Sequence, residues 1–201
     1  SLAGNGTTTS SLAYGGNKNP SNTRGADTEA YNGTTWSELN NLNTARDNLS
    51  GAGANSTSAV AFGGDTPASP SPTVNTELWN GFSWTEVNNL NDVSPNAGSL
   101  GISTSALNFG GGGTVNNEKW NGTNWTEVNN LNTARDGNAG GAGTTSAGLA
   151  FGGKEPSPAV TGNTELWNGT NWTEVNNMND DRRQLVGTGT QTSALAFGGE
   201  D

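Results

Sequence analysis

Short apolar runs closed by an aromatic residue and two glycines recur along this chain, and between them single apolar residues stand isolated among polar ones. The closing steps are Tyr14-Gly15-Gly16, Phe62-Gly63-Gly64, Phe109-Gly110-Gly111, Phe151-Gly152-Gly153 and Phe197-Gly198-Gly199. An apolar run of that length bounded by glycine reads as a buried strand, and Ser193 to Gly199 is one copy. Before each run lies a stretch of small residues, such as Gly51-Ala52-Gly53 or Gly141-Ala142-Gly143, which predicts a first strand. After it come two segments of alternating polarity, as at Thr164–Trp167 and Trp172–Val175, read as third and fourth strands. Asn-Gly-x-x between them predicts a tight hairpin, because both residues tolerate the left-handed conformation.

The spacing makes this a repeat. From one Gly-Gly step to the next the intervals are 48, 47, 42 and 46 residues, within the range of four-stranded propeller blades. Splitting each interval at the second Trp of the hairpin leaves 21, 21, 15 and 20 residues before it and 27, 26, 27 and 26 after it. One loop therefore absorbs most of the variation: residues 17–27, 65–75, 112–116 and 154–163, with Pro20, Pro67, Pro70, Pro72, Pro156 and Pro158. Four small strands cannot hide their apolar faces alone, so successive units are expected to pack face to face.

The aromatics belong almost entirely to this unit. Tyr14, Phe62, Phe109, Phe151 and Phe197 precede Gly-Gly, and the pairs Tyr31/Trp36, Trp79/Trp84, Trp120/Trp125 and Trp167/Trp172 flank the Asn-Gly turn. All are expected in the core, and Phe82 alone is left over. The glutamates of the outer strands, Glu29, Glu38, Glu77, Glu86, Glu118, Glu127, Glu165 and Glu174, are expected at an exposed rim that protects strand edges.

Inner strands occur five times, at about 1–16, 50–64, 97–111, 139–153 and 185–199, but the outer hairpin only four times, at about 28–39, 76–87, 117–128 and 164–175. The expectation is a single all-β propeller over residues 1–201, with blades at about 1–43, 44–91, 92–132 and 133–179 and a half blade at 180–201. A five-blade-like ring follows, its last blade completed by further residues, by another subunit, or not at all; a strained four-blade ring with a spare hairpin is the alternative. The chain opens at Ser1 rather than Met and stops partway through a repeat, which raises the expectation of processing or truncation.

Composition narrows the function. With 29% hydrophobic residues and 31 Gly, repetition has to supply the burial, and periodic Trp and Phe argue against disorder. A net charge of -10, with 8 basic against 18 acidic residues, excludes an electrostatic footprint for nucleic acid. No apolar run approaches the roughly 20 residues of a membrane helix, so no membrane insertion is expected. Cysteine and histidine are absent, which removes thiolate chemistry and the commonest general base and metal ligand. No metal, cofactor or enzymatic activity is expected.

Apolar strand, Gly-Gly, aromatic, then Trp, followed by Asn-Leu-Asn-Thr-Ala-Arg at Asn130 to Arg135, resembles the kelch repeat of kelch and galactose-oxidase-type propellers. The aromatic-to-Trp spacing is shortened and the His usual after the Arg is absent. The copper chemistry of galactose oxidase is not implied, because its histidine and cysteine-linked tyrosine are missing. Units reading Thr-Glu-Leu-Trp-Asn-Gly-Thr-x-Trp-Thr-Glu-Val are similar to tandem repeats of marine bacteriophages and marine bacteria, which implies a virion-surface or extracellular setting.

Candidate ligand-binding residues are Arg46, Arg135, Arg182 and Arg183, all in the crossing from an outer strand to the next inner strand, where the second unit has Val93-Ser94-Pro95. Two readings stand for the arginines: a brace of the crossing through charge-assisted hydrogen bonds, or recognition of an acidic sugar or carboxylate. The variable loops are expected on the same face as the arginines, where loop variation on a rigid scaffold suits binding. Phe82, at the place of Thr123 and Thr170, is a candidate contact. Asn121-Gly122-Thr123 and Asn168-Gly169-Thr170 fit the glycosylation pattern, but turn chemistry explains them better. Expected partners are host-surface glycans, and other virion proteins or copies of the chain.

Overall fold

A computed structural model describes the chain except residues 19–22, 68–70 and 157–158. The protein is an all-β propeller whose blades are four-stranded antiparallel sheets in meander order. The first contains β1 (Ala3–Thr7), β2 (Ser10–Tyr14), β5 (Thr28–Tyr31) and β6 (Trp36–Glu38); β3 (Asn17–Lys18) and β4 (Thr23–Arg24) form a small ladder in its variable loop. The second comprises β7 (Ser50–Asn55), β8 (Ser58–Phe62), β9 (Thr76–Trp79) and β10 (Trp84–Val87). The third is built from β11 (Gly98–Ile102), β12 (Ser105–Phe109), β13 (Asn117–Trp120) and β14 (Trp125–Glu127), and the fourth from β15 (Gly140–Thr144), β16 (Ala147–Phe151), β17 (Thr164–Trp167) and β18 (Trp172–Val175). Among the described residues β19 (Arg183–Thr190) and β20 (Ser193–Glu200) pair only with each other. Four blades are thus complete, and a fifth is represented by its inner hairpin.

Register is constant because the pleat and the turn fix it together. Phe62 pairs with Thr76 and Ala61 with Glu77; Phe151 pairs with Thr164 and Ala150 with Glu165; Tyr14 pairs with Thr28 and Ala13 with Glu29. The outer hairpin closes on a Trp79–Trp84 or Trp167–Trp172 pair. In its turn glycine takes the left-handed backbone, with φ of 92° at Gly81 and 94° at Gly169. Asn does something else: the Oδ1 of Asn80 accepts from the amides of Phe82 and Ser83, each at 2.9 Å. Asn168 does the same for Thr170 and Asn171. The turn therefore rests on Asn as acceptor and Gly as the left-handed residue, and the Asn-Gly-Thr triplet of Asn168 follows from turn chemistry.

The chain divides into two compact units. The first, residues 1–95 with 102–104 and 122–124, holds the first two blades; its core gathers Leu12, Tyr14, Leu42, Leu49, Trp79 and Trp84. Trp84 lies edge-on to Tyr14 with ring centroids 4.9 Å apart, and its Nε1–H donates to Thr28 Oγ1 at 2.9 Å. The second unit, residues 96–101, 105–121 and 125–201, holds most of the third blade, the fourth, and the β19–β20 hairpin. There Trp172 meets Phe109 edge-on at 5.4 Å, among Leu100, Leu107, Leu131 and Trp167. In both units the second Trp of one blade seats on the Gly-Gly aromatic of the blade before. Small residues of the innermost strands make room for the neighbouring blade: a Cβ on Gly141 would overlap the carbonyl oxygen of Ser99 in β11.

Ten of the thirteen aromatics expected in the core, Tyr14, Phe62, Trp79, Trp84, Phe109, Trp120, Trp125, Phe151, Trp167 and Trp172, are buried. Three depart from that expectation. Trp36 is 52% exposed and Tyr31 half-buried, because their ring contact is with each other and, within their unit, no Gly-Gly aromatic stands under Trp36 as Tyr14 stands under Trp84. Phe197 is 46% exposed because among the described residues no third strand covers β20. The expected acidic rim is also corrected in part: Glu38, Glu86, Glu127 and Glu174 on fourth strands are exposed, but Glu77, Glu118 and Glu165 on third strands are buried. Among the described residues no helix is long and apolar enough to cross a membrane.

Candidate functional site

The arginine crossings carry buried networks of side-chain hydrogen bonds. Arg46 leaves the first blade and is fully buried. Its carbonyl accepts from Gly16 N–H of its own blade at 2.7 Å. Its guanidinium reaches into the next blade, where Nη1 donates to the carbonyls of Gly63 at 3.1 Å and Asn75 at 2.7 Å, and Nη2 meets Glu77 Oε1 at 2.9 Å. Asn43 completes the cage, donating from backbone N–H and Nδ2 to Glu77 Oε2 at 2.7 and 2.9 Å.

The fourth blade repeats the arrangement atom for atom. Arg135 Nη1 donates to Gly152 O and Asn163 O, both at 2.7 Å, Nη2 meets Glu165 Oε1 at 3.0 Å, and Asn132 donates twice to Oε2 at 2.8 and 2.9 Å. Each carboxylate is thereby saturated, which is the condition under which a buried ion pair repays its desolvation. Burial pulls Arg46 below the ordinary arginine range, and the Glu77 carboxylate works against that pull. Burial likewise pushes the phenol of neighbouring Tyr14 up, with Arg46 opposing.

For Arg46 and Arg135, then, ligand binding is corrected to bracing: neither guanidinium reaches solvent, and each is spent on two carbonyls and a carboxylate. The partner glutamates were not anticipated. Their signal lies in the pairing of each Asn-Thr-Ala-Arg with a following Thr-Glu, and alternation hides it by making Thr-Glu-Leu-Trp and Trp-Thr-Glu-Val look equivalent. Ser94 stands at the arginine position after the second blade and is buried.

The remaining candidates lie apart. Arg182 keeps half of the pattern: its carbonyl accepts from Gly153 N–H at 2.8 Å and Nη1 donates to Gly198 O at 3.2 Å, but it has no carboxylate partner among the described residues. Arg183 pairs with Glu200 at 2.8 Å across β19 and β20, both side chains partly exposed. Phe82 is 75% exposed at a hairpin tip, held by Asn40 Nδ2 donating to its carbonyl at 2.7 Å. Register sets that tip at the Ala59–Trp79 end of its blade, opposite the Phe62–Thr76 end where Arg46 enters. Phe82 and Arg46 do not form one site.

The variable loops do adjoin the crossings. Asp47 and Asp65 exchange backbone hydrogen bonds at 3.1 and 2.8 Å, and Asp136 and Lys154 do so at 2.7 and 2.8 Å, so each loop begins beside an arginine. In the first unit this edge gathers Arg24, paired with Asp47 at 2.7 Å, Asn48 donating to Asp65 Oδ2 at 3.0 Å, and Ser71 donating to Asp65 Oδ1 at 3.0 Å. The result is a partly exposed lattice of carboxylates, amides and hydroxyls on a rigid base. Pro20, Pro70 and Pro158 lie outside the described residues.

No protein-family model and no curated protein matches the chain. Its fold is matched: a solved structure titled "Structure of YjhT" aligns with a TM-score of 0.77 over 96% of this chain and 74% of its own, at 12% identity. At that identity the likeness shows the fold, a propeller of repeated antiparallel sheets.

Proposed function

We propose that this chain is a non-enzymatic binding propeller of kelch-like repeats, and that its variable loops attach a phage virion surface to host-surface glycans. The observation that carries this reading is the contrast between scaffold and loop. The register of second and third strands and the arginine cages of Arg46 and Arg135 recur, while the loops docked beside the crossings differ in length and sequence and place Arg24, Asp65 and Ser71 next to Asp47 and Asn48 of the crossing. Such groups suit the hydroxyls of sugars, and several shallow sites on one scaffold gain by avidity.

Absence of catalysis is supported by where the reactive side chains are used. Tyr14 is buried in a blade junction and the buried carboxylates Glu77 and Glu165 are saturated by an arginine and an asparagine together. A glycan array probed with the intact chain tests the reading. Binding that weakens on Asp65→Ala, with folding retained, supports it. No binding at millimolar glycan, with the chain still co-purifying with particles, overturns it in favour of a purely structural decoration domain.

A further inference from the structure

We propose that the two compact units of this chain open separately, each as its own cooperative unit, and that serine in place of arginine at position 94 sets the division between them. The first unit runs unbroken to Pro95. Just before that point stands Ser94, where the other crossings have Arg46, Arg135 and Arg182. Each unit closes its strongest interactions within itself. Arg46, Asn43, Gly63, Asn75 and Glu77 all belong to the first, as do Trp84 and the Tyr14 and Thr28 that it meets. The second holds the whole cage of Arg135 and the contact of Trp172 with Phe109. Side chains that share one buried network are lost together, so membership of the network defines what opens as one.

The third blade carries a second departure from the repeat that matches the first. Glu118 is 2% exposed and holds the register place of Glu77 and Glu165. Ala61 and Ala150 stand opposite those two, but Asn108, 3% exposed, stands opposite Glu118. Directly opposed residues of an antiparallel pair have Cβ atoms about 4.5–5.5 Å apart, so an amide stands beside this carboxylate from within its own sheet. What an arginine crossing brings to the second and fourth blades, the third supplies for itself. Ser94 in turn is seated in the first unit, where a Cβ on Gly63 would meet its carbonyl oxygen at 3.3 Å and its Oγ at 3.5 Å. The turns 102–104 and 122–124 also belong to the first unit. Asn88 Nδ2 holds the second of these at Thr123 O and Asn124 Oδ1, 3.0 and 2.8 Å away, through exposed bonds that exchange readily with water.

Native-state hydrogen exchange of the intact chain in low urea tests the proposal. The slowest amides of β2 and β8 should share one opening free energy, and those of β12 and β16 another. Thr28→Val takes the acceptor from Trp84 at nearly constant volume and should speed exchange in β2 and β8 about fivefold, leaving β12 and β16 unchanged. Phe109→Leu should do the reverse, by about tenfold. Ser94→Arg with Asn108→Ala restores the residue pair of the second and fourth blades and should bring both classes to one opening free energy. A single class in the unaltered chain, or acceleration of both units by either single variant, would overturn the separate opening. Two classes persisting in the folded double variant would overturn the role of Ser94. The single variants alter no charge and keep their apolar contacts, so their result stands even if the double variant is disturbed.

Discussion

The junction carrying Arg135 and the junction carrying Arg182 start from the same local sequence logic and end differently. Both arginines accept from a Gly-Gly amide through their carbonyl and donate to the next Gly-Gly carbonyl through Nη1. Arg135 then finds Asn163 O and Glu165 on a third strand and is fully buried, while Arg182 meets no third strand and stays partly exposed. What makes a blade junction solid is therefore not the arginine motif but the outer hairpin that receives it. Burial, ion pairing and aromatic packing arrive together with that hairpin, so they are gained or lost as one set.

Breaking the arginine at each junction is the strongest test. Arg135→Ala leaves Glu165 buried without a counter-charge and should cost about 3–5 kcal/mol. Arg182→Ala, whose side chain is partly exposed and has no ion pair among the described residues, should cost under about 1 kcal/mol. Urea denaturation of both variants checks this, and equal losses would dissolve the distinction between the junctions.

Tryptophan truncation should separate interior from edge in the same way. Trp125→Ala removes a ring that is 6% exposed and should cost about 3–5 kcal/mol. Trp36→Ala, at the same hairpin position but 52% exposed, should cost about 1 kcal/mol by area lost from water. Comparable melting temperatures for the two variants would show that Trp36 is covered in solution.

A smaller difference is expected at the glycines. Gly152 has φ of 65°, and a Cβ there would lie 2.6 Å from Arg182 O; Gly198 has φ of 70° with nothing within 4 Å. Left-handed strain alone costs about 1–2 kcal/mol, the expectation for Gly198→Ala. Overpacking adds about 1–3 kcal/mol for Gly152→Ala. Thermal melts that rank Gly198→Ala as the worse variant would place the end of β20 against a neighbour.

Strand pattern and blade count were legible in the sequence because both are periodic, and Trp-Asn-Gly-x-x-Trp fixes a hairpin almost alone. The fate of individual side chains was not. Trp36 and Trp84 hold the same place in the repeat but have different neighbours, and only the packed blades distinguish them. Glu77 and Glu86 look equally peripheral in a strand pattern, yet one is caged by Arg46 and Asn43 and the other is exposed. The arginines were visible as repeated residues, and only their burial decides between brace and binding site. The loops proposed to bind glycans are the least periodic segments, and so carry the least information about their own geometry.

Alkaline titration gives the gentlest comparison of the same two junctions. Tyr14 occupies in the first blade the place that Phe197 has in β20, and burial pushes its phenol above the ordinary value of 10.0. A phenol whose pKa is raised by folding contributes stability that is fully present below its unfolded pKa and is lost as pH rises toward the folded one. Above pH 10 the unfolded chain therefore releases a proton that the native chain keeps, and stability should fall by up to about 1.4 kcal/mol per pH unit from this residue. Tyr14→Phe should remove that component of the slope at little cost near neutrality, since its hydroxyl reaches Val60 O only at 3.5 Å. Phe197→Tyr places a phenol at the uncovered junction, where it should ionise near the ordinary tyrosine value of about 10. Phenolate absorbance reads both directly. If the phenol introduced at 197 titrates as high as Tyr14, the β20 edge is already covered and the two junctions are alike.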